Sequence, residues 1–174
     1  MQGPITSGIW HQFAASIDTL AQALRAVPDV HWAAQPRMRY MAYHTLLFLD
    51  YYLTVPPTDF QAGLPYRLVP MEEVPADALD DLLPARDYTH VECLAYLQAS
   101  RAKCQALLAR LNADDLARPW ISQPDVLAPG AVMDFSVLEI LLYNLRHVQH
   151  HAAQFNLLLR QLGITPPDTV PSAD

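Results

Sequence analysis

Apolar side chains recur at three- and four-residue steps in four separate segments of the 174-residue chain. Such a period places these side chains on one face of an α-helix, and it predicts four helices of about 20 residues each. The predicted helices cover residues 7–27, 36–54, 87–112 and 134–163. No run of alternating β-branched residues is long enough to predict a strand. We therefore expect an all-α fold, and four helices with broad apolar faces indicate a four-helix bundle.

Proline, glycine and a capping residue mark where the predicted helices end. Pro28 follows the first helix, Asp87 is a suitable N-cap for the third, and Gly163 suits a left-handed stop after the fourth. The segment 55–86, between the second and third helices, is long and holds six prolines. A loop of this length needs a reason, such as a crossover along the bundle or a wall over a functional site. Its acidic part, residues 71–81, is predicted to be a solvated surface or a short extra helix.

Composition narrows the class of protein. With 52% apolar and 17% charged residues, the chain is expected to form a single globular domain over residues 1–174. A net charge of −7 offers no basic surface for nucleic acid. The sequence begins without a secretory signal, and it has no apolar stretch of the roughly 20 residues that cross a bilayer. We therefore expect a cytoplasmic protein with no membrane partner.

Three of the seven histidines lie within five residues of one another on the fourth predicted helix. At 100° per residue, His147 and His151 fall on its apolar face, whereas His150 falls toward the edge of that face. On the second helix, His44 falls on the inward side. Histidines four residues apart are neighbours one turn apart, which is the spacing by which one helix offers two nitrogens to a metal ion. The sequence thus turns three imidazoles from two helices toward the interior.

Two interpretations of these inward histidines stay open. Each is either a core histidine with its own hydrogen-bond partners or a ligand of a shared metal ion. Leaving a buried polar group without a partner costs about 1–3 kcal/mol, and one divalent cation would satisfy all three rings together. Neutral imidazole suits zinc, nickel, copper or iron, and three protein ligands leave a position for water or substrate. That arrangement is typical of a catalytic site rather than a closed structural one.

Few acid, base or pocket groups are predicted near the histidines. The candidates are five residues of the second and fourth helices, namely Tyr40, Tyr51, Glu139, His150 and Gln154. Gln154 lies one turn beyond His150 and is placed to orient a ligand. Asp50 points away from His44. His90, near the start of the third helix, is expected to face solvent rather than to support the metal ligands.

The two cysteines are not expected to supply a nucleophile. Cys93 and Cys104 lie about three turns apart on the third predicted helix, which is too far for a mutual disulfide. We expect both to be reduced, buried and packed as small apolar residues.

The motif around the histidines resembles a known family. An A-x-H setting at residues 42–44, a His-x-x-His-His-x-x-Gln run at residues 147–154 and a closing LLRQLGI at residues 158–164 are similar to the DinB/YfiT-like superfamily of metal-dependent proteins. The resemblance also covers helix order and loop lengths over nearly the whole chain. The chain departs from the family pattern in two places. The tryptophan often found at the start of helix two is absent, and the segment 55–86 is longer than usual.

The resemblance implies a four-helix bundle with up-down-down-up order, in which the long proline-rich segment crosses between helices two and three. It implies a triad of metal ligands, His44, His147 and His151, that binds a divalent transition metal such as zinc, nickel or iron. It also implies a homodimer and, in characterised branches, transferases or isomerases that use low-molecular-weight thiols. Both departures lie where a substrate pocket would be shaped, so the identity of the small-molecule substrate does not carry over.

Three functions are compatible with these features. The first is a metal-dependent transferase that uses a low-molecular-weight thiol. The second is a metal-dependent hydrolase with the same triad and with water as the nucleophile. The third is a non-enzymatic, stress-related helical bundle in which the metal is structural or absent. An oxygen-activating di-metal centre is disfavoured, because neither Glu92 nor Glu139 begins the Glu-x-x-His pair that such a centre needs.

Overall fold

A computed structural model describes residues 3–57, 60, 68–76, 78, 83–121 and 134–173 of the chain. Throughout these residues the regular secondary structure is helical, so the prediction of an all-α fold is confirmed. The helices are α1 (Pro4–Arg25), α2 (Asp29–Ala34), α3 (Pro36–Tyr52), α4 (His90–Arg110), α5 (Ala113–Ala117) and α6 (Val137–Gln161). A single 3-10 turn covers Met71–Glu73.

Four of these helices are long, and they pack against one another in a regular pattern. α1 contacts both α4 and α6, and α3 contacts the same two helices. The four predicted helices correspond to α1, α3, α4 and α6, and each boundary differs from its prediction by no more than three residues. The crossover formed by residues 55–86 stays a prediction, because residues 58–59, 61–67, 77 and 79–82 lie outside the described part of the chain.

The core between these helices is built from aliphatic and aromatic side chains. Fully buried members include Phe13, Leu20 and Leu24 of α1, Leu46 and Leu49 of α3, Leu108 of α4, and Ile140, Leu141 and Phe155 of α6. Each such side chain stabilises the fold by roughly 1.5–3 kcal/mol relative to an exposed position. This burial holds α3 against α6, and that packing brings their polar residues together.

Both cysteines lie within the core on α4, as predicted. Cys93 and Cys104 are free thiols with 0% exposure. Burial raises the pKa of the Cys104 thiol to about 12. That group therefore stays protonated near neutral pH.

The beginning of α4 corrects the predicted cap. The residue before the helix is Thr89, whose hydroxyl accepts from the Glu92 N–H at 3.2 Å, while the Glu92 carboxylate accepts from the Thr89 N–H at 2.8 Å. This reciprocal capping box satisfies two backbone donors, which Asp87 alone would not do. Asp87 instead lies 3.4 Å from the guanidinium of Arg39. The prediction of a stop at Gly163 is confirmed, because its φ is 74°.

Two short helices occur in stretches predicted to be linkers. α2 follows Pro28 and buries Trp32, while α5 begins after Asn112, which shares a capping box with Asp115. Helices of one or two turns are too short to show an apolar period, so the sequence pattern does not reveal them. Within the acidic stretch 71–81, Glu72 and Glu73 are exposed in the 3-10 turn. In the described part of the chain, no helix is both long and apolar enough to cross a membrane.

Candidate metal centre

The three inward histidines are placed by the packing of α3 against α6. His44 lies midway along α3, and His147 and His151 lie one turn apart on α6. Ser136 is the N-cap of α6. Its hydroxyl accepts from the Glu139 N–H, and the Glu139 carboxylate accepts from the Ser136 N–H, so the two residues form a capping box. Since α3 and α6 are in direct contact, the rings of the two helices meet between them.

The Nε2 atoms of the three rings converge on a common point. His147 Nε2 lies 3.2 Å from His44 Nε2 and 3.1 Å from His151 Nε2. One nitrogen from each of the three rings lies within 4.8 Å of the other two. Tetrahedral zinc with Zn–N bonds of 2.0–2.1 Å separates its nitrogen ligands by about 3.3 Å. The spacing of the rings therefore fits one divalent ion.

The distribution of protons favours a cation over hydrogen bonds among the rings. His151 Nδ1 donates to Gln154 Oε1 at 2.8 Å, so the neutral ring of His151 carries its lone pair on Nε2. A hydrogen on His147 Nε2 points toward either His44 or His151, and a single N–H serves only one of them well. A cation at the common point would be able to accept a lone pair from every ring. The donor set therefore suits a metal better than it suits a chain of imidazoles.

Gln154 is the residue that fixes the orientation of His151. Metal-binding histidines usually donate their other N–H to an oxygen, which sets the tautomer and the direction of the ring. The contact at 2.8 Å between His151 Nδ1 and Gln154 Oε1 has this form. Gln154 lies three residues beyond His151 on α6, so the helix itself holds the two side chains together.

Aromatic rings from α3 and α6 cover one side of the triad. Phe48 lies 4.7 Å from the ring of His44, and Tyr143 stacks on His147 at 6.3 Å with an interplanar angle of 10°. Tyr52 meets His147 edge-on at 6.2 Å. These rings limit the access of water to that side and hold the imidazoles in place.

The triad also borders a cavity of about 340 Å³. His44 and His151 both contribute to its wall, so a ligand in the cavity lies next to two of the three rings. The lining residues come from α3 and α6: Arg37, Tyr40, Met41, His44, His151, Gln154, Leu157, Leu158 and Gln161. A volume of this size suits a small molecule rather than a macromolecule.

The other candidate residues are divided between the cavity and more distant positions. Tyr40 and Gln154 line the cavity. Tyr51 is 1% exposed and packs against Phe60 and Trp120, with ring centroids at 5.2 and 5.3 Å.

Glu139 and His150 lie farther from the cavity. Glu139 serves the capping box at the start of α6, and its hydrogen bonds with Ser136 hold the pKa of its carboxyl below the usual range. His150 is exposed, with its ring centroid 5.2 Å from that of His151.

The structure corrects one sequence-based expectation about a titratable side chain and adds a buried partner to a second. The prediction that His90 faces solvent is wrong, since its side chain is 11% exposed, donates to the Leu24 carbonyl at 2.6 Å and stacks on Trp32. Asp50 does lie on the side of α3 away from the triad, but it is 3% exposed and forms an ion pair with Lys103. Partners on other helices explain both positions.

Several residues beside the triad were not predicted from the sequence. Phe48, Tyr52 and Tyr143 supply the aromatic cover, and Arg37 lies in the cavity wall. The position of Arg37 could have been predicted from the sequence, because Arg37 precedes His44 by seven residues and therefore lies on the same face of α3. Tyr52 lies one turn beyond Phe48, which identifies it only once the face that meets α6 is known.

Comparison with known families agrees with the geometry of the site. A family model of the DinB superfamily matches residues 12–155, a range that includes all three histidines. No curated protein matches the sequence significantly. The matched range covers most of the 174 residues. The chain therefore belongs to the DinB superfamily.

Proposed function

We propose that this protein binds one divalent transition metal through His44, His147 and His151 and uses it to transfer a low-molecular-weight thiol to an electrophilic small molecule. The observation that carries the proposal is the convergence of three Nε2 atoms beside a cavity of about 340 Å³. Three protein ligands leave a coordination position for a substrate. His44 and His151 line the cavity, so a substrate there would lie next to the ion that they would hold.

A bound divalent cation would lower the pKa of a coordinated thiol or water and polarise a carbonyl group. Residues of the chain would orient the ligands, limit water and bind the substrate. Gln154 orients His151, the aromatic cover limits water, and the phenol of Tyr40 in the cavity wall offers a hydrogen bond to a substrate.

The nucleophile must come from a substrate. Cys93 and Cys104 are fully buried, and the raised pKa of Cys104 keeps its thiol protonated. None of the residues that line the described cavity is an aspartate or a glutamate that could take a proton from water. A thiol has an ordinary pKa of about 8.5 and needs less help to ionise than water does. The cavity therefore suits thiol transfer better than hydrolysis.

Within the same proposal, the four long helices form an up-down-down-up bundle in which residues 55–86 cross between α3 and α4. Two chains pair as a homodimer in the cytoplasm. The contacts of α1 and α3 with α4 and α6 support the bundle, and the family resemblance supports its helix order and the dimer. Light scattering coupled to size exclusion measures the mass in solution. A mass of one chain would contradict the dimer.

Thiol consumption with a chromogenic aryl halide tests the function. The sulfur forms a bond to the aromatic carbon, the halide leaves, and the thiol proton goes to solvent. We expect the protein loaded with zinc, nickel or iron to exceed the uncatalysed rate, a chelator to remove the excess and added metal to restore it. A His44→Ala variant with unchanged circular dichroism should be inactive.

The other outcomes of this experiment are equally informative. Equal rates with and without protein for a broad panel of thiols and electrophiles would contradict the proposal. Turnover of esters without thiol would assign a hydrolase instead. Unfolding by chelator without any turnover would assign a structural metal.

A further inference from the structure

Arg37 gives the cavity a charge opposite to that of the whole protein. The chain carries a net charge of −7. Among the described lining residues, however, Arg37 has the only permanent charge, and no carboxylate is present. A divalent ion on the triad would add positive charge at the inner end. A cavity of this kind attracts anions.

The guanidinium of Arg37 is available to a ligand. It forms no hydrogen bond or ion pair with any residue that the structure describes, and its side chain is exposed. Arg39 and Arg101, by contrast, are engaged within the protein. Arg39 donates to the Ala33 carbonyl at 2.6 Å, and Arg101 pairs with Asp18 at 2.8 Å. An arginine that has no internal partner and lines a cavity is suited to bidentate binding of a carboxylate.

The spacing of Arg37 from the triad sets the length of the ligand. Arg37 and His44 are seven residues apart on α3, so they share a face and lie about 10 Å apart along the helix axis. Arg37 also lies in the first turn of α3, where the helix dipole favours negative charge. A ligand that reaches both ends needs an acidic group roughly two helical turns away from its metal-binding atom.

Part of the wall between the two ends is apolar. Met41 lies between Arg37 and His44 on α3, and Leu157 and Leu158 face it from α6. Leu157 is 54% exposed, so its side chain is accessible to a ligand. These side chains would contact the middle of a bound ligand and favour a hydrocarbon segment there.

We propose that the cavity selects thiols that carry a carboxylate about two helical turns from the sulfur, with an apolar segment between, and that Arg37 holds the carboxylate. This inference rests on the proposed function, because the sulfur end is assigned to the metal. Arg37 is a specificity-determining residue rather than a catalytic one.

Binding to the cobalt-substituted protein tests this assignment. Thiolate-to-cobalt charge-transfer absorption reports the sulfur end directly and does not depend on turnover. The probes are 8-mercaptooctanoate, whose extended length matches the separation, and the uncharged 8-mercaptooctan-1-ol. We expect the acid to bind about three- to tenfold more tightly, as one charge-assisted and partly exposed pair contributes. Higher ionic strength should shrink this difference.

Matched variants separate the roles of the two ends. Arg37→Gln should remove the preference for the acid and leave the affinity for the alcohol unchanged. Arg160→Gln makes the same charge change at an exposed position of α6 that does not line the cavity, and it should keep the preference. Equal affinities for acid and alcohol, or a preference that survives Arg37→Gln, would overturn the role of Arg37 alone. Absence of charge-transfer absorption with either thiol would overturn the proposed function instead.

Discussion

Two polar clusters lie on opposite sides of α3, and they differ in composition. Toward α4, the buried carboxylate of Asp50 accepts from Lys103 at 2.5 Å and from the Tyr96 hydroxyl at 2.6 Å. Toward α6, His44 meets His147 and His151, which are groups of its own kind. The first cluster balances a negative charge with a positive one. The second gathers three electron-pair donors around a common point, an arrangement that suits a cation.

The difference between the two clusters shows that one helix can stabilise the fold on one side and border a candidate binding site on the other. Lys103, the only lysine in the chain, also donates to the Asp50 carbonyl and to Thr54, so the cluster is cross-linked within the protein. Such a closed cluster fixes α3 relative to α4 and offers nothing to a ligand. The triad borders a cavity, so a ligand in the cavity can lie beside it. Mutations should therefore affect folding on one side of α3 and metal binding on the other.

The largest effect is expected from removal of the central ring of the triad. His147→Ala should abolish metal binding, with a loss greater than the 10–100-fold typical of residues that only support a ligand. His150→Ala, on the same helix and exposed, is the matched control and should bind normally. Isothermal titration with zinc measures both. Normal zinc affinity in His147→Ala would contradict the assignment of metal binding to the histidine cluster.

The second prediction concerns the opposite side of α3. Lys103→Met leaves the carboxylate of Asp50 buried without its cation, and it should destabilise the fold by about 3 kcal/mol. Chemical denaturation measures this loss, with Arg110→Met on the exposed surface of α4 as the control. Metal affinity at temperatures well below unfolding should not change. A weaker metal site in Lys103→Met would show that the two clusters are coupled through α3.

The third prediction concerns Gln154, the residue that orients His151. Loss of the oxygen that accepts from His151 Nδ1 frees the tautomer and the ring direction, and metal affinity should fall by about 10–100-fold. Gln161→Ala makes the same change on the same helix at a cavity residue farther along α6, so it serves as the control. Competition with a chromophoric chelator gives both affinities. Equal affinities would show that Gln154 has no part in holding the metal.

The smallest effect is expected at the start of α6, which carries two of the three ligands. Ser136→Ala removes the N-cap and should destabilise the fold by about 1 kcal/mol without changing metal affinity. The hydrogen bonds with Ser136 lower the pKa of Glu139. Glu139 therefore stabilises the fold above its ordinary pKa and less so as pH falls. Denaturation curves at neutral and acidic pH should show a smaller difference between variant and parent in acid.

The sequence predicts the long helices and the triad for the same physical reason. Apolar period and ring direction are both set by 100° per residue, so the faces that bury leucines also orient His44, His147 and His151. Features that depend on contacts with other helices cannot be predicted from this period. The side chain of His90 is largely covered because Trp32 lies on α2, a helix too short to show a period. Asp50 is buried because of Lys103, a partner 53 residues away.

Local chemistry explains the remaining differences. Asp87 and Thr89 both suit an N-cap, and Glu92 decides between them because only Thr89 lies three residues before it. Tyr51 and Tyr52 are adjacent on α3, and the position of α6 determines that Tyr52 meets His147. The spacing of Arg37 from His44 is enough to predict that both lie on one face of α3. An arginine in the first turn of a helix is, however, ordinarily interpreted as solvated surface.

The central claim is that one cation belongs among three imidazoles. Anomalous diffraction at the metal absorption edge, from crystals of protein purified without a nickel column and supplied with zinc, tests it most directly. We expect a single peak per chain within about 2.1 Å of the Nε2 atoms of His44, His147 and His151, and its loss in His147→Ala. Crystals with no peak at this point, or with the three rings turned apart and hydrogen-bonded elsewhere, would contradict the claim.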